Sequence, residues 1–323
     1  MSDPVRWGLL STARINQAIL DGAAQDELTE IVAVASRDQA RADAYAREHR
    51  LERAHGSYEA LLEDDDIDVV YNSLPNSLHV EWSIRALDAG KHVLCEKPMD
   101  KRPDQIERAF DAADRNGRLL MEAFMYRHHP QTLKAAELVR GGAIGELRQL
   151  RSRFSFTLGN DTDVRMLPEL DGGAVMDLGC YCISMQRVLA GEPELVFGRQ
   201  RLGGRGVDVG FTGLLQFGDD TFGEFHCGFD LPESNGLEAV GSDGVLVVPD
   251  PVRCRDPHVE LNGERIDVED VDRYFLQVKN FSEAVRGEAR PLLGREDALA
   301  QARTIAALYR SAESGKAESP SAA

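Results

Sequence analysis

The chain lacks any apolar run of the roughly 20 residues that a membrane-spanning helix needs. It also lacks the charged segment and apolar stretch of a secretory signal, because a strand-like segment begins almost at once at Val5. We therefore expect a cytoplasmic protein. No internal repeat or low-complexity segment is present, and 323 residues at about 100–200 per domain predict two domains.

Basic residues are in deficit, since 37 lysines and arginines face 55 aspartates and glutamates, for a formal net charge of −18. Nucleic acids and anionic membranes are bound by basic patches, so this balance argues against both as partners. The acidic excess fits an organism with a salty cytoplasm, or a requirement for solubility alone. Local basic residues can still hold an anionic cofactor.

Cysteines are few, five in all, and none forms a Cys-x-x-Cys pair. Cys180 and Cys182 are too close together for a zinc knuckle, and His226 beside Cys227 has no second pair at ligand spacing. We therefore expect no metal site, and reduced thiols that pack as small apolar side chains.

Short apolar runs alternate with amphipathic segments over the first 125 or so residues. We predict strands at 5–10, 31–35, 69–73, 92–96 and 119–123, and helices at 15–24, 38–49, 78–89 and 103–116. Right-handed crossovers between such strands give a doubly wound parallel sheet covered on both faces. The fold class is therefore α/β, with an N-terminal Rossmann domain over residues 1–124.

The pattern changes after Pro130 to runs of strands. We predict strands at 146–156, 209–217, 222–229, 237–241 and 245–249, and helices at 171–191, 272–286 and 296–311. The second and third of these strands flank a Gly-Asp-Asp turn and form a hairpin. We expect an α+β domain over residues 125–312 with a large, mostly antiparallel open sheet. The polar tail 313–323 is predicted to be flexible.

Ligands of a doubly wound sheet bind beyond the carboxyl ends of its strands, so the loops there are candidate cofactor contacts. The first loop has one glycine, and small residues take the other positions where a backbone must approach a pyrophosphate. A plain strand-to-helix turn would use the same residues. The candidates are Gly8, Ser11, Thr12, Ala13, Arg14 and Ile15.

The second loop, Ser36-Arg37-Asp38, favours NADP over NAD. NAD enzymes place a carboxylate at this strand end for the ribose hydroxyl, whereas a hydroxyl and a guanidinium suit the 2′-phosphate of NADP. The alternative is that Ser36 caps the next helix and Arg37 is solvated. The third loop adds Leu74, Pro75, Asn76 and His79 as cofactor candidates, although Pro-Asn-Ser is a good turn by itself.

Lys97 follows the fourth predicted strand, in Glu96-Lys97-Pro98. An ammonium group there can hydrogen-bond a reacting hydroxyl or carbonyl oxygen, but a lysine at a turn is more often only solvated. Asp177 and Tyr181 are four residues apart and share one helix face. A nearby lysine would lower the phenol pKa from about 10 and let Tyr181 transfer a proton. A core tyrosine and a helix-start aspartate are the equal alternative.

The order of several motifs resembles the glucose–fructose oxidoreductase / inositol dehydrogenase / rhizopine catabolism (Gfo/Idh/MocA) family. The motifs are the 8–15 loop, Pro75-Asn76-x-x-His79, Glu96-Lys97-Pro98, Glu122-Ala123-Phe124-Met125-Tyr126-Arg127, Gly142-Ala143-Ile144-Gly145-Glu146 and Gly172-Gly173-x-x-x-Asp177-x-Gly179-x-Tyr181. Tyr181, where many members have histidine, is similar to the branch that includes D-xylose 1-dehydrogenase and dimeric dihydrodiol dehydrogenase.

The resemblance implies that Lys97 is the catalytic lysine, that Asp177 binds substrate and that Tyr181 exchanges the proton. It implies a cis peptide before Pro98 and a homodimer or homotetramer formed through the C-terminal sheet. We add Glu96, Lys97, Met125 and Arg127 to the cofactor contacts. The expected substrate contacts are Lys97, Tyr126, Arg165, Asp177 and Tyr181, with Arg153 and His129 as further cations for an anionic substrate.

Three hypotheses follow for the function. The first is an NADP-dependent aldose 1-dehydrogenase that oxidises D-xylose or D-glucose to the lactone. The second is a reductase of a keto sugar, which could be linked to a nucleotide, or a trans-dihydrodiol dehydrogenase. The third is a regulatory protein that senses NADP(H) without catalysis, against which the joint presence of Lys97, Asp177 and Tyr181 counts.

Overall fold

The computed structural model of the protein describes residues 3–160 and 162–321, which form two compact units. The first unit contains the chain through Asp100, Asp104–Met125 and Val271–Ala298. The second contains Lys101–Pro103, Tyr126–Asp270 and the chain from Leu299 onward. The predicted change of domain near residue 124 matches this division. The assignment of all of 125–312 to the second domain is wrong for Val271–Ala298.

The secondary structure follows the chain in this order. The helices are α1 (Asn16–Ala23), α2 (Gln39–His49), α3 (Tyr58–Leu62), α4 (His79–Asp88), α5 (Pro103–Asn116), α6 (Pro130–Arg140), α7 (Cys180–Ala190), α8 (Arg273–Val285) and α9 (Arg295–Ser314). The strands are β1 (Val5–Leu9), β2 (Thr29–Ala35), β3 (Arg53–His55), β4 (Val69–Asn72), β5 (His92–Glu96), β6 (Leu120–Ala123), β7 (Leu147–Ser155), β8 (Leu195–Leu202), β9 (Asp208–Phe217), β10 (Thr221–Gly228), β11 (Ser234–Gly241), β12 (Val245–Pro249), β13 (His258–Leu261) and β14 (Glu264–Asp267).

The first unit is built on a parallel sheet with the strand order β3-β2-β1-β4-β5-β6. This is the order of a Rossmann fold, and it confirms the predicted doubly wound domain. Four of the strands are almost wholly buried, which explains their continuous apolar runs. The reversal of strand order lies between β1 and β4, so the loops after these strands line the ligand-binding edge.

Helix α8 packs in the first unit although it comes late in the chain. The indole nitrogen of Trp7 in β1 donates a hydrogen bond to Ser282 Oγ at 3.1 Å. A Cβ atom at Gly22 in α1 would lie 2.7 Å from the backbone nitrogen of Phe275, so α1 and α8 touch backbone to backbone there. Such contacts join residues some 250 positions apart, and no local pattern in the sequence indicates them.

The second unit contains an eight-stranded sheet in the order β14-β13-β12-β11-β7-β10-β9-β8. Neighbouring strands are antiparallel except β7 and β10, which run parallel. The mostly antiparallel sheet and the predicted hairpin of β9 and β10 are confirmed, and Gly218 takes a positive φ of 60° at the hairpin turn. Among the described residues, no helix is both long and apolar enough to cross a membrane.

The helix predicted over 171–191 starts later than expected. Asp171 and Gly173 have positive φ angles of 53° and 128°, which a right-handed helix cannot accommodate. A π-helical turn, Val175–Gly179, follows and continues directly into α7. The loop and the π turn therefore replace the first two turns of the predicted helix.

The predicted flexible tail also needs correction. Residues Glu313 and Ser314 lie in α9, and Glu318 exchanges two backbone hydrogen bonds with Val196 of β8, at 2.8 and 2.9 Å. The tail therefore extends the edge of the sheet through Glu318 because β8 offers unpaired backbone groups there. Residues 322–323 of the predicted tail lie outside the described residues.

Candidate active site

The loop after β1 is held by side chains from two other parts of the first unit. Ser11 Oγ lies 2.8 Å from Ser73 Oγ and accepts a hydrogen bond from the backbone nitrogen of Ala13. The buried Asn16 donates to the Ser11 carbonyl at 2.7 Å and accepts from Ser73 Oγ. The loop thus has a fixed shape without the usual glycines. Asn16 and Ser73 were not among the sequence candidates, since their importance depends on contacts between separate strands.

Other members of this loop differ in their surroundings. A Cβ atom at Gly8 would lie 2.9 Å from Ile67 Cδ1 and 3.1 Å from Leu61, so this glycine packs against side chains inside the sheet layer. Thr12, Ala13 and Ile15 are partly exposed and Arg14 is exposed. The exposed part of the loop, rather than Gly8, is therefore where the backbone can meet a ligand.

The loop after β2 has the donors that a phosphate needs. Ser36 is buried at the strand end, and its hydroxyl accepts a hydrogen bond from the backbone nitrogen of Asp38. Asp38, and not Ser36, is the N-cap of α2 and accepts from the backbone nitrogen of Arg41 at 3.2 Å. Among the described residues, neither Arg14 nor Arg37 is assigned a carboxylate partner, and both are exposed. Because the carboxylate of Asp38 caps a helix, this edge is suited to a 2′-phosphate.

His79 supports the cofactor edge in a different way from that predicted. It is buried at the start of α4, and its Nε2 and Nδ1 atoms lie 2.7 and 2.9 Å from the carbonyl oxygens of Leu74 and Pro98. Both ring nitrogens are therefore occupied by the backbone, and His79 links the loop after β4 to the loop after β5. Its assignment as a direct cofactor contact is corrected for this reason. Pro75 and Asn76 remain partly exposed beside it.

Lys97 lies directly after β5 and is half-buried, and the peptide between Lys97 and Pro98 is cis, as the resemblance implied. The carboxylate of Glu96 accepts hydrogen bonds from the Lys97 backbone nitrogen and from the hydroxyl of Tyr71 in β4. Tyr274 of α8 belongs to the same group, and its burial, together with the charge of Glu96, raises its pKa to about 12. Lys97 thus stands beside a carboxylate held by a tyrosine. Tyr71 and Tyr274 were not anticipated from the sequence.

In the second unit, Asp177 and Tyr181 lie on the segment formed by the π turn and α7. A π turn closes hydrogen bonds five residues apart, so positions four apart come close to one full turn and their side chains share a face. The ring of Tyr181 is packed edge-on against Phe154 and Tyr126, with ring centroids 5.7 and 5.8 Å away. This spacing is compatible with the predicted pairing of a phenol and a carboxylate on one helix face, which stays a prediction.

Arg165 is bound to two carboxylates in the same unit. Its Nε and one terminal nitrogen donate to both oxygens of Asp163 at 2.8 and 2.9 Å, and the other terminal nitrogen lies 3.4 Å from Asp177 Oδ2. The hydrogen bond with Asp163 raises the pKa of the guanidinium, and the charge of Asp177 adds to this effect. The guanidinium also lies 5.5 Å from the ring of Phe156. Arg165 thus orients Asp177, and its positive charge is already neutralised.

Tyr126 and Arg127 both form hydrogen bonds to helix α7. Tyr126 is fully buried, and its hydroxyl donates to Ser184 Oγ of α7 at 2.7 Å. Arg127 donates to the same oxygen at 3.2 Å. Tyr126 was expected to contact substrate, but it has no exposed surface and instead supports the ring of Tyr181. Met125 is also buried.

The two further cations considered for an anionic substrate are placed elsewhere. His129 is buried and caps α6, where its Nδ1 accepts from the backbone nitrogen of Gln131 at 3.1 Å. Arg153 is exposed on the open face of the sheet and donates to Ser234 of the neighbouring strand β11. Neither lies on the helix face of Asp177 and Tyr181. Within the described residues there is also no group of three or more side chains able to hold a metal ion.

Comparison with known proteins agrees with these two units. Residues 6–124 match an oxidoreductase family with an NAD-binding Rossmann fold, and residues 132–247 match the GFO/IDH/MocA C-terminal domain. These matches define the class of protein as a nicotinamide-dependent oxidoreductase. The chain belongs to the GFO/IDH/MocA family, as its motifs indicated, and the prediction of an enzyme is confirmed.

Three relatives illustrate the range of the family. D-xylose 1-dehydrogenase (NADP(+)) 2 of Haloferax volcanii is 39% identical over 320 residues, which are 96% of this chain and 98% of that protein. Trans-1,2-dihydrobenzene-1,2-diol dehydrogenase of Danio rerio is 32% identical over 84% of this chain and 88% of that protein. The crystal structure of a 3-ketoreductase from Actinomadura kijaniata, in complex with NADP and TDP-benzene, has a TM-score of 0.90 at 34% identity, over 95% of this chain and 98% of that one.

Proposed function

We propose that the protein is an NADP-dependent aldose 1-dehydrogenase that oxidises the C1 hydroxyl of a pyranose, such as D-xylose or D-glucose, to the lactone. The relative from Haloferax volcanii, similar over nearly its whole length, bears the name of such an enzyme. The observation that carries the choice of substrate is the ion pairing of Arg165 with Asp163 and Asp177.

A neutral sugar suits the helix face of Asp177 better than a substrate with a diphosphate group. Arg165 is satisfied by Asp163 and Asp177, so the three groups together carry a net negative charge. An anionic substrate would be repelled by this excess, whereas sugar hydroxyls can donate hydrogen bonds to a carboxylate. Arg253 and Arg255, on the loop after β12, are likewise paired with Glu233. A nucleotide-linked keto sugar, as the Actinomadura complex suggests for that enzyme, is the second candidate.

NADP fits the edge of the first unit. We assign its 2′-phosphate to Ser36, Arg37 and Arg14, and its pyrophosphate to the backbone between Ser11 and Ile15, because a helix N-terminus attracts anions. Among the residues that the structure describes, no carboxylate partner is assigned to Arg14 or Arg37, and this observation supports the fit. When bound, the cofactor supplies the hydride acceptor.

The protein's own groups would handle the proton and the orientation of the sugar. We assign to Tyr181 the removal of the C1 hydroxyl proton, to Lys97 a hydrogen bond to the same oxygen, and to Asp177 a hydrogen bond to a neighbouring hydroxyl. Arg165 keeps the Asp177 carboxylate oriented. Glu96, held by Tyr71, fixes the backbone that presents Lys97.

The experiment is a panel of D-xylose, D-glucose, inositols, a trans-dihydrodiol and a nucleotide-linked keto sugar, each assayed for a change in NADPH absorbance. We expect the aldoses to give the highest kcat/KM. Higher turnover of the nucleotide-linked sugar would favour the second candidate, and a protein that binds NADP with no turnover on any of these would contradict the proposal.

Replacing Tyr181 with phenylalanine tests the proton transfer. General acid–base catalysis contributes about 10²–10⁴-fold, so we expect Tyr181→Phe to lower kcat by that amount while the Kd for NADP stays within about 2-fold. Tyr58→Phe, a change of the same kind on α3, serves as the control and should keep full activity. Unchanged kcat in Tyr181→Phe would remove the proposed role.

A further inference from the structure

A buried carboxylate in the second unit has no part in the reaction described so far. Asp208 begins β9, and only 3% of its surface is exposed. Its two oxygens accept hydrogen bonds from the backbone nitrogen of Val175 at 2.7 Å and from the hydroxyl of Tyr309 at 2.9 Å. Burying a carboxylate costs free energy unless hydrogen bonds compensate for it, so a residue of this kind needs an explanation.

The first contact of Asp208 lies where the catalytic segment begins. Val175 is the first residue of the π turn that carries Asp177, and the Gly173 carbonyl accepts from the Asp177 backbone nitrogen at 3.1 Å. Gly173 has a φ of 128°, and a Cβ atom there would lie 2.2 Å from Asp208 Oδ1. A glycine is therefore required both by the backbone and by the close approach of the carboxylate.

The second contact ties Asp208 to a different element. Tyr309 comes from α9 and is partly buried, and the ammonium of Lys101 lies 5.7 Å from its ring centroid. Lys101 also forms an ion pair of 2.7 Å with Asp171, in the loop just before Gly173. Two sets of contacts thus reach the loop that precedes the π turn. One set runs through Asp208 and the other through Lys101.

We propose that Asp208 is a positioning residue, which together with Tyr309 fixes the first turn of the segment that carries Asp177 and Tyr181. It touches the backbone of this segment at Val175. A displacement of about 1 Å in a catalytic group can cost roughly 100-fold in rate, so loss of this anchor lowers turnover without removing any reacting group. The proposal rests on the proposed function only in that Asp177 and Tyr181 are the groups that react.

Three variants and one control test the anchor. Asp208→Ala removes both hydrogen bonds, Tyr309→Phe removes one, and Asp208→Asn keeps an oxygen for Val175 and offers an amide donor to Tyr309. Val259→Ala, at a buried position of β13, is a control for lost stability alone. Each variant is measured by hydrogen exchange of the amides of residues 175–181 and by kcat and KM with D-xylose and NADP.

We expect Asp208→Ala to speed amide exchange over residues 175–181 at least 10-fold and to lower kcat 30-fold or more, with the KM for NADP within about 3-fold. Tyr309→Phe should lower kcat 3- to 10-fold. Asp208→Asn should restore both readouts to within about 3-fold of the wild type, and Val259→Ala should keep kcat.

Unchanged exchange in Asp208→Ala and Tyr309→Phe would overturn the anchor, and so would a kcat loss in Val259→Ala as large as that in Asp208→Ala. Faster exchange with full kcat would overturn its role in turnover. If the wild type does not turn over D-xylose, the proposed function fails, whereas the exchange of residues 175–181 still decides whether Asp208 anchors this turn.

Discussion

At the scale of single residues, we propose that Arg37 decides the choice between NADP and NAD. Its guanidinium is exposed at the end of β2, where Asp38 is already used as a helix cap. A hydrogen bond to a charged group contributes about 1.5–3 kcal/mol, which corresponds to roughly 10- to 100-fold in Kd. We expect Arg37→Ala to raise the Kd for NADP by this factor and the Kd for NAD by less than 2-fold, as measured by fluorescence titration.

Arg47, in the last turn of α2, provides a matched control on the same helix. Arg47→Ala removes the same charge from the far end of α2, so it should leave the affinities for both cofactors within about 2-fold. Equal losses of NADP and NAD affinity in Arg37→Ala would show that Arg37 does not recognise the 2′-phosphate.

The residues differ in how far the sequence could reveal them. Lys97 and Ser36 follow apolar strands, so the strand pattern alone places them at the ligand-binding edge, and the structure agrees. Tyr126 and His79 occur in equally suggestive motifs, yet their polar atoms are taken up by Ser184 and by two backbone carbonyls. Whether a polar side chain faces a ligand or the interior depends on such distant partners, which no local pattern contains.

At the scale of secondary structure, elements with a strong local pattern could be predicted from the sequence, whereas elements that depend on distant contacts could not. The strands β1, β2, β4, β5 and β6 were predicted because each forms a strongly apolar run. Strand β3 was missed because its three residues are all partly exposed. The π turn before α7 was missed because its surroundings, such as the close approach of Gly173 to Asp208, are tertiary contacts that the local sequence does not contain.

The anchor of this π turn makes stability depend on pH. Burial is the main cause that raises the pKa of Asp208 from its ordinary 3.8 to about 6, although its hydrogen bonds with Val175 and Tyr309 and the charge of Lys101 oppose it. The folded protein therefore holds this proton more tightly than the unfolded chain. The resulting stabilisation is fully present below pH 3.8 and is lost as the pH rises through 6.

The variant Asp208→Asn has no titratable group at this position. Comparison with it therefore isolates the contribution of Asp208 titration to the free energy of unfolding. Between pH 4.5 and 7, we expect the free energy of unfolding of the wild type to fall by about 2 kcal/mol relative to Asp208→Asn. Urea unfolding of both proteins at the two pH values measures this difference, and the titration of all other groups cancels. If the difference in free energy of unfolding between the two proteins is the same at both pH values, or if the wild type becomes relatively more stable at pH 7, the pKa of Asp208 is not raised.

At the scale of the whole molecule, the open face of the large sheet is a candidate protein interface because it exposes large apolar side chains. Leu214 of β9 and Phe222 of β10 are 52% and 53% exposed, and they lie on the same face of paired strands. Arg151 in the next strand, β7, is neutralised on this face by Glu224 and Glu238. Apolar side chains among paired charges are typical of protein interfaces. We propose that this face joins copies of the chain into a homodimer or homotetramer. The cytoplasmic location of the protein stays a prediction.

Charges placed on this face test the assembly. With a net charge of −18 per chain, each copy already repels the next, so apolar contact has to overcome this repulsion. We expect Leu214→Asp combined with Phe222→Asp to convert the oligomer to monomers in light scattering coupled to gel filtration, because two added carboxylates would be buried without partners. Leu292→Asp, at an exposed leucine of the first unit, adds one carboxylate and should leave the mass unchanged. A wild type that is monomeric at micromolar concentration, or a double variant that keeps its mass, would contradict this interface.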